Sequence, residues 1–434
     1  MPYTPHTPKE VSAMLDTIGL ENENELFDCI PRELQIDGLN LPNGLDEFTV
    51  FSKFKEIASK NATNKTIFMG GGYYDHIIPS AVDALSMRSE FYTAYTPYQA
   101  EASQGTLQSL YEYQSLVCAL MGMEVSNASM YDGATALAEA ALMAVRITKR
   151  NKILIDKWVN PTYIKVVQTY LEFRDIDVEV VDYNDANIDE NIAAFLFQNP
   201  NFIGDINEFE SLIDTLHQNK ALAVMSVYPI ALGLLKTPGE LNVDIVSADG
   251  QCLGNYMSFG GPSFGIIATK QKYIRDLPGR IIGKTLDKDD NELFVLTMQA
   301  REQHIRRHRA TSNICSNQNL LALRSTIFMS LVGQDGFEQL AQLNYSKCEY
   351  LKEQLKTITK IEIFNQKDTF NEFVIKIDKD VTLFLEELSS KGFYAGINLG
   401  KLYENLQNCI LVSVTEKRTK EQIDNLVAAI KELV

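Results

Sequence analysis

Four stretches carry side chains whose types and spacing suit chemistry. FYTAYTPYQAEASQGTLQ (91–108) sets Tyr92, Tyr95 and Tyr98 at intervals of three. Pro97 and the threonines place them on a loop rather than a helix. A phenol joins an apolar body to a hydroxyl that wants a partner, which suits a substrate pocket or an interface. A loop packed beneath the core is the plainer alternative. NASMYDGATALAEAA (127–141) runs from small polar residues through Gly133, Ala134 and Thr135 straight into a helix. Its free N–H groups and positive dipole end could hold a phosphate, or the same residues could simply cap the helix. REQHIRRHRATSN (301–313) gathers Arg301, His304, Arg306, Arg307, His308 and Arg309 into a basic island. Such an island meets an anion or an acidic partner face, or ends as a solvated helix terminus. GGGYYDHIIP (70–79) allows close backbone approach to a ligand but reads first as a flexible turn. His76 within it is expected to be structural.

A fifth stretch is notable for what it lacks. DIVSADGQCLGNYMSFGGPSFG (244–265) has the pattern of a buried strand, a polar turn and a glycine-rich return into a second strand. The turn offers Asp249, Gly250, Gln251 and Cys252, and no lysine. No G-x-S-x-G, H-E-x-x-H or G-x-x-x-x-G-K-[ST] pattern occurs, so serine hydrolase, zinc protease and P-loop readings find no support. The six cysteines are scattered without a C-x-x-C, as expected of reduced thiols.

The elements that must position these residues alternate. KILID (152–156), VEVVDY (178–183), AAFLFQNP (193–200), ALAVMSVY (221–228), DIVSAD (244–249) and SFGIIATK (263–270) read as strands. Amphipathic helices fall between them, one through Tyr163–Phe173 and one with Phe209, Leu212, Ile213 and Leu216 on a face. That order predicts an α/β fold with a mostly parallel, doubly wound sheet. Ligands then belong at the carboxyl ends of the strands and at helix N-termini. Before this unit, Thr7, Pro8 and Glu10 form a capping box with proline at the first helical position, and Gly19 ends the helix. After Gly333 come a long helix (about 337–357), the strands IEIFN and NEFVIKI, a helix at 382–390, the strand CILVSV and a closing helix capped by Thr419. The expected organisation is an N-terminal helical arm (1–65), a large α/β domain (66–333) and a small C-terminal α/β domain (334–434).

Composition bounds the function. The chain has 434 residues, 45% hydrophobic and 22% charged, which is ordinary globular usage. Its formal charge of −17 repels phosphate backbones and anionic lipid surfaces, which speaks against nucleic-acid or membrane binding. The start, MPYTPHTPKE, has no apolar h-region, and no apolar stretch reaches the roughly 20 residues needed to span a bilayer. A cytoplasmic location is the expectation.

GGGYYDHIIP, FYTAYTPYQAEASQGTLQ, NASMYDGATALAEAALMA, SFGGPSFG, LPGRIIGKT, QAREQHIRR and ATSNICSNQ occur in this order over residues 70–318. Together they resemble the glycine cleavage system P-protein (glycine decarboxylase) family. The length and the missing lysine match subunit 1 of its two-chain form. The resemblance implies a type I fold of enzymes that use pyridoxal phosphate (PLP). It implies a glycine dehydrogenase (aminomethyl-transferring) reaction, in which glycine loses CO2 with the pyridinium ring as electron sink. The aminomethyl group then passes to the lipoyl arm of the H protein. It further implies that the PLP lysine lies on subunit 2 and that the chains assemble as a heterotetramer of two plus two.

Against that pattern, Gln251 stands at the lysine position, and an amide cannot form a Schiff base. The strand ALAVMSVYPIALG carries Ser226 and Tyr228 and no aspartate for the pyridine nitrogen. Gly133, Ala134 and Thr135 are therefore expected to be a vestigial phosphate loop. No residue of this chain is expected to be catalytic in isolation. Tyr92, Tyr95 and Tyr98, with Ser103 and Gln104 in support, are expected to complete the partner's active site across a pseudo-two-fold interface. Arg306 and Arg307 are expected at that interface or at an anion. Two rivals stand beside this: a self-sufficient PLP aminotransferase or lyase using Lys270 or Lys284, and a non-enzymatic regulatory or scaffold pseudoenzyme.

Overall fold

The computed structural model describes residues 5–36 and 38–434. The reading of the extreme N-terminus as a polar, non-signal segment falls partly on residues 1–4, outside the described residues. Two compact units are formed, one within Met1–Thr63 and one within Asn64–Val434.

In the first unit, α1 (Pro8–Ile18) begins with the expected box. Thr7 Oγ1 accepts from Glu10 N, the Glu10 carboxylate accepts from Thr7 N, and Gly19 closes the helix at φ +77°. A second helix, α2 (Glu47–Ala58), is capped by Asp46. Neither helix buries a residue.

The second unit opens with β1 (Thr66–Ile67) and the short helices α3 (Ser80–Ser86) and α4 (Ser89–Tyr92). Then come α5 (Gln104–Met121), β2 (Val125–Ser126) and α6 (Gly133–Thr148). The central sheet continues with β3 (Lys152–Asp156), β4 (Asp177–Val181), β5 (Ile192–Asn199), β6 (Leu222–Val227), β7 (Ile245–Asp249) and β8 (Gly265–Thr269). Its seven strands lie in the order β2-β8-β7-β6-β5-β3-β4. The pairs from β4 to β7 are parallel, and β8 and β2 join antiparallel at one edge.

The alternation of strand side chains divides the core into two faces. Phe195 and Phe197 of β5 pack on one face with Met225 and Val246. Ala194 and Leu196 face the other side, against Ala136, Ala140 and Ala144 of α6. Those alanines let α6 lie close to the sheet, which aims its N-terminus at the carboxyl end of β7.

An antiparallel hairpin follows, β9 (Ile281–Leu286) with β10 (Glu292–Thr297). The last strands are β11 (Ile361–Ile363), β12 (Glu372–Ile377), β13 (Phe393–Tyr394), β14 (Ile397–Asn398) and β15 (Cys409–Ser413). Four of them form an antiparallel sheet, β11-β12-β15-β14, with its own core around Phe373, Ile410, Val412 and Ile423. β1 pairs in parallel with β13, so residues 66–67 join this C-terminal layer. The helix expected from about 337 runs from Asn319 to Lys356, broken at Gly333 (φ +64°). No described helix is long and apolar enough to cross a membrane.

Candidate functional site

The carboxyl ends of β6 and β7 face the N-terminus of α6, where a ligand of this fold belongs. Here the chain's own side chains fill that place. Asp249, at the end of β7, is buried. Its Oδ2 accepts from Gly133 N at 3.0 Å, the first amide of α6. Its Oδ1 accepts from Gln251 N (2.9 Å) and Ser263 Oγ (2.6 Å). Burial pushes this carboxyl up to about 6, and the three hydrogen bonds oppose the rise. Asp132 and Thr135 complete a capping box beneath it. Gly133 is required by proximity, since a Cβ there would lie 2.5 Å from Tyr163 Oη and 2.8 Å from Asp249 Cβ.

The expected vestigial loop of Gly133, Ala134 and Thr135 is thus a helix start capped by carboxylates of the chain itself. An anion brought to these amides would have to displace Asp249.

Gln251 is 2% exposed and its amide is fully used. Oε1 accepts from Tyr74 N (2.9 Å), while Nε2 donates to Tyr74 O (3.1 Å) and Asn255 O (2.8 Å). The Tyr228 ring lies 4.4 Å from that of Tyr74, and its hydroxyl bonds His76 Nε2. His76 Nδ1 pairs with Glu416 at 2.7 Å, and Glu416 Oε1 accepts from Ile77 N at 2.6 Å. Tyr74 Oη donates to Glu372 (2.7 Å), which also accepts from Gly71 N (2.6 Å). Burial raises the Glu372 carboxyl to about 7.

The 70–79 stretch is therefore no flexible turn. Glu372 of β12 and Glu416, just past β15, pin it, and His76 is held between Glu416 and Tyr228. The cavity left beside Tyr74, His76, Gln251 and Lys417 holds about 260 Å3. That is below the roughly 300 Å3 at which ligand pockets begin. The groups that PLP would need are engaged within the chain: Lys417, the amine beside this cavity, pairs with Asp75, Asp249 is spent on Gly133 N, Gln251 N and Ser263 Oγ, and position 251 offers an amide.

The rival lysines lie elsewhere. Lys270 bonds Asp244 Oδ1 (2.9 Å) and Asn242 O (2.8 Å) at the amino end of β7, the opposite edge of the sheet. Lys284 sits on β9, paired with Glu292.

A second group of residues forms an outward face. Tyr95 is 82% exposed, Tyr92 57% and Tyr98 46%. Thr96 Oγ1 bonds Ser316 Oγ at 2.6 Å, tying this loop to ATSNICSNQ. Tyr92, Tyr95, Ser316 and Asn317 line a cavity of about 230 Å3. Tyr98 Oη accepts from Arg280 Nη2 (3.1 Å) and lies 3.7 Å from Cys315 Sγ. His304 meets the Tyr98 ring edge-on at 5.5 Å, so the basic island touches the tyrosine loop through this histidine. Arg306 Nε bonds Ala300 O, and Arg307 is exposed at φ +54°.

Ser103 precedes α5, and Gln104 Nε2 donates back into the loop, to Ala100 O at 2.7 Å. The Gln104 amide bonds both backbone groups of Phe294 at 2.9 Å, which anchors the hairpin. Sequence reasoning gave no role to Arg280, Cys315, Glu372 or Glu416. Arg280 and Cys315 lay within quoted motifs. The two glutamates act across 301 and 340 residues, a separation that leaves no local signal.

A mostly parallel, doubly wound sheet with a helix N-terminus at the carboxyl end of β7 defines the class: a type I PLP-enzyme fold. A variant of C-DES solved with glycine covalently linked to PLP shares that fold at a TM-score of 0.62 and 13% identity, over 85% of this chain and 97% of that one. The chain belongs to the glycine cleavage system P-protein family, whose model matches residues 1–430. A protein of Geotalea daltonii named probable glycine dehydrogenase (decarboxylating) subunit 1 is 51% identical over 99% of each chain. The crystal structure of a glycine decarboxylase (P-protein) of the glycine cleavage system, in inhibitor-bound form, matches all of both chains. Its TM-score is 0.94 at 38% identity.

Proposed function

We propose that this chain is subunit 1 of a cytoplasmic glycine dehydrogenase (decarboxylating), and that it supports the reaction without holding the cofactor. PLP is carried by the lysine of subunit 2. It supplies the electron sink for loss of CO2 from glycine. The aminomethyl group goes to the lipoylated H protein, and the two chains assemble two plus two. The observation that carries this reading is the Gln251 amide. It is buried and held by Tyr74 and Asn255, at the place where the family resemblance puts the lysine.

This chain's residues act from the outward face. Tyr95 and Tyr98 present hydroxyls that can bind and orient a carboxylate across an interface, and the loop around them excludes water from it. Arg306 and Arg307 supply positive charge at the same interface. The basis for the face is exposure. Three phenols on one short segment are costly to leave in solvent unless a partner covers them.

The test is Tyr95→Phe and Tyr98→Phe in the reconstituted two-chain enzyme. Glycine turnover falls about 10- to 100-fold for the pair, the range for lost orienting contacts. Parent turnover with the chains still associated contradicts the role.

A further inference from the structure

A guanidinium lies directly beneath this face. Arg280 is 2% exposed, one of the largest fully buried side chains of the protein. Its Nη2 donates to Tyr98 Oη (3.1 Å) and reaches Cys315 Sγ (3.6 Å), and its Cζ lies 5.0 Å from the Tyr98 ring centre. Glu302 Oε2 is 3.6 Å from Nε, an ion pair too long for a hydrogen bond. Nε and Nη1 have no hydrogen-bond partner among the described residues, nor has Glu302 Oε1.

Such an arrangement is expensive for stability alone. Replacing a buried charge pair with apolar side chains of equal volume is often neutral or stabilising. What only arginine supplies here is a charged donor of fixed direction and a flat cation for the ring.

The backbone holds that donor firmly. Arg280 O accepts from Ala128 N (2.8 Å), and Asn127 Nδ2 donates to Pro278 O (2.9 Å). Gly279 takes φ +76° between them, where a Cβ would lie 2.9 Å from Asn127 Nδ2. Arg301 Nη2 donates to Gly279 O (2.9 Å). The guanidinium is thus bolted to the large-domain framework, while the tyrosine it holds is half in solvent.

We propose that Arg280 is the positioning residue of the tyrosine face, fixing the Tyr98 phenol in the direction that the partner chain's substrate site requires. The proposal rests on the reading that this face completes that site. Tyr98 Oη accepts from Arg280, which leaves its own hydrogen free to point at Cys315 in the resting chain or at an incoming carboxylate. The groups facing the phenol are Arg280, Cys315 and His304, with Glu302 behind the arginine. Burial alone would raise the Cys315 thiol, but Tyr98, Arg280 and Ser316 together hold it below its ordinary value. The thiol therefore reports on the phenol and the guanidinium.

The experiment uses the assembled two-chain enzyme with Tyr98→Phe, Arg280→Met, Arg280→Lys and the double variant Tyr98→Phe/Arg280→Met. Glycine kcat/KM is measured in each assembled enzyme, and iodoacetamide labelling of Cys315 near neutral pH, read by peptide mapping, in each full-length chain before the partner is added. Arg280→Met lowers kcat/KM about as much as Tyr98→Phe does. The double variant is no worse than Arg280→Met alone, and Arg280→Lys regains part of the loss. Labelling slows in Arg280→Met and partly returns in Arg280→Lys. Additive losses in the double variant, or parent kcat/KM in Arg280→Met while Tyr98→Phe is impaired, overturn the proposal. A silent Tyr98→Phe refutes the underlying reading instead, and labelling then decides alone. Unchanged labelling in Arg280→Met ends the assignment of Arg280, and slowed labelling retains it as the group that orders the phenol. Should Arg280→Met not fold, the same comparisons are made with Arg280→Lys.

Discussion

At the scale of single residues, Gln251 and Asp249 spend their polar groups on the chain's own backbone and side chains. Restoring the lysine is therefore not enough. Gln251→Lys places an unpaired charge against Tyr74 N and removes three hydrogen bonds. It is expected to cost about 3–5 kcal/mol, read as a lowered urea midpoint. It also gains no borohydride-fixable PLP, because Asp249 and Tyr228 still occupy the remaining space. Fixation of cofactor on Lys at position 251 would contradict this.

Glu372 gives a second test. Its folded-state value of about 7 lies above the ordinary carboxylate range, and burial is the cause. A carboxyl raised on folding binds its proton more tightly in the native state. Its contribution is then largest below about pH 4.5 and is lost as pH rises toward 7. Glu372→Gln removes that loss, so the variant gains on the parent between pH 5 and 8 in thermal melts. Parallel pH profiles would show that Glu372 is ionised throughout. That the turn 249–252 has no lysine and the strand ALAVMSVYPIALG no aspartate is legible in the sequence itself. The occupants are not. Glu372 and Glu416 reach the site only through the packing of a sheet more than 290 residues away.

At the scale of elements, α5 acts as a strand mate for the hairpin. The Gln104 amide bonds both backbone groups of Phe294, and ten residues on, Gln114 bonds both of Ile282 at 2.9–3.0 Å. The hairpin leads into the basic island and then ATSNICSNQ, so its seating affects where Cys315 and Ser316 stand. Gln114→Leu strands a buried N–H and C=O, at about 1–3 kcal/mol for each group. Amide exchange at Ile282 and Phe294 measures it: faster exchange at Ile282 with Phe294 little changed is the expected pattern. Equal protection at Ile282 would mean that the hairpin does not depend on the clamp.

Strand positions were legible here to within one or two residues, as with Lys152–Asp156, because buried parallel strands are continuous apolar runs. The first half of the long helix was not. Residues 319–332, NLLALRSTIFMSLV, are apolar on several sides, so they show no stripe for a periodicity argument to find. Gln104 was legible only in part for a similar reason. A glutamine beside a candidate loop looks like support for that loop, which its bond to Ala100 O provides, but only the hairpin's position shows that it serves Phe294 as well.

At the scale of the whole molecule, the family and its fold were legible from ordered motifs spanning most of the chain, and the match over residues 1–430 agrees. The tyrosine face was legible as a cluster of phenols, but its anchor was not. Arg280 lies 182 residues from Tyr98, and nothing in LPGRIIGKT marks its arginine as buried. The central claim is a division of labour: this chain offers a face, and a second chain holds the cofactor.

The most direct measurement is borohydride reduction of the two-chain enzyme after PLP is added, with each chain then mapped for fixed cofactor and this chain treated alone in parallel. Fixed PLP on the partner only, with none on this chain in either sample and glycine-dependent CO2 release only when both are present, is the predicted result. Cofactor fixed to any lysine of this chain, with CO2 release from this chain alone, would contradict the account.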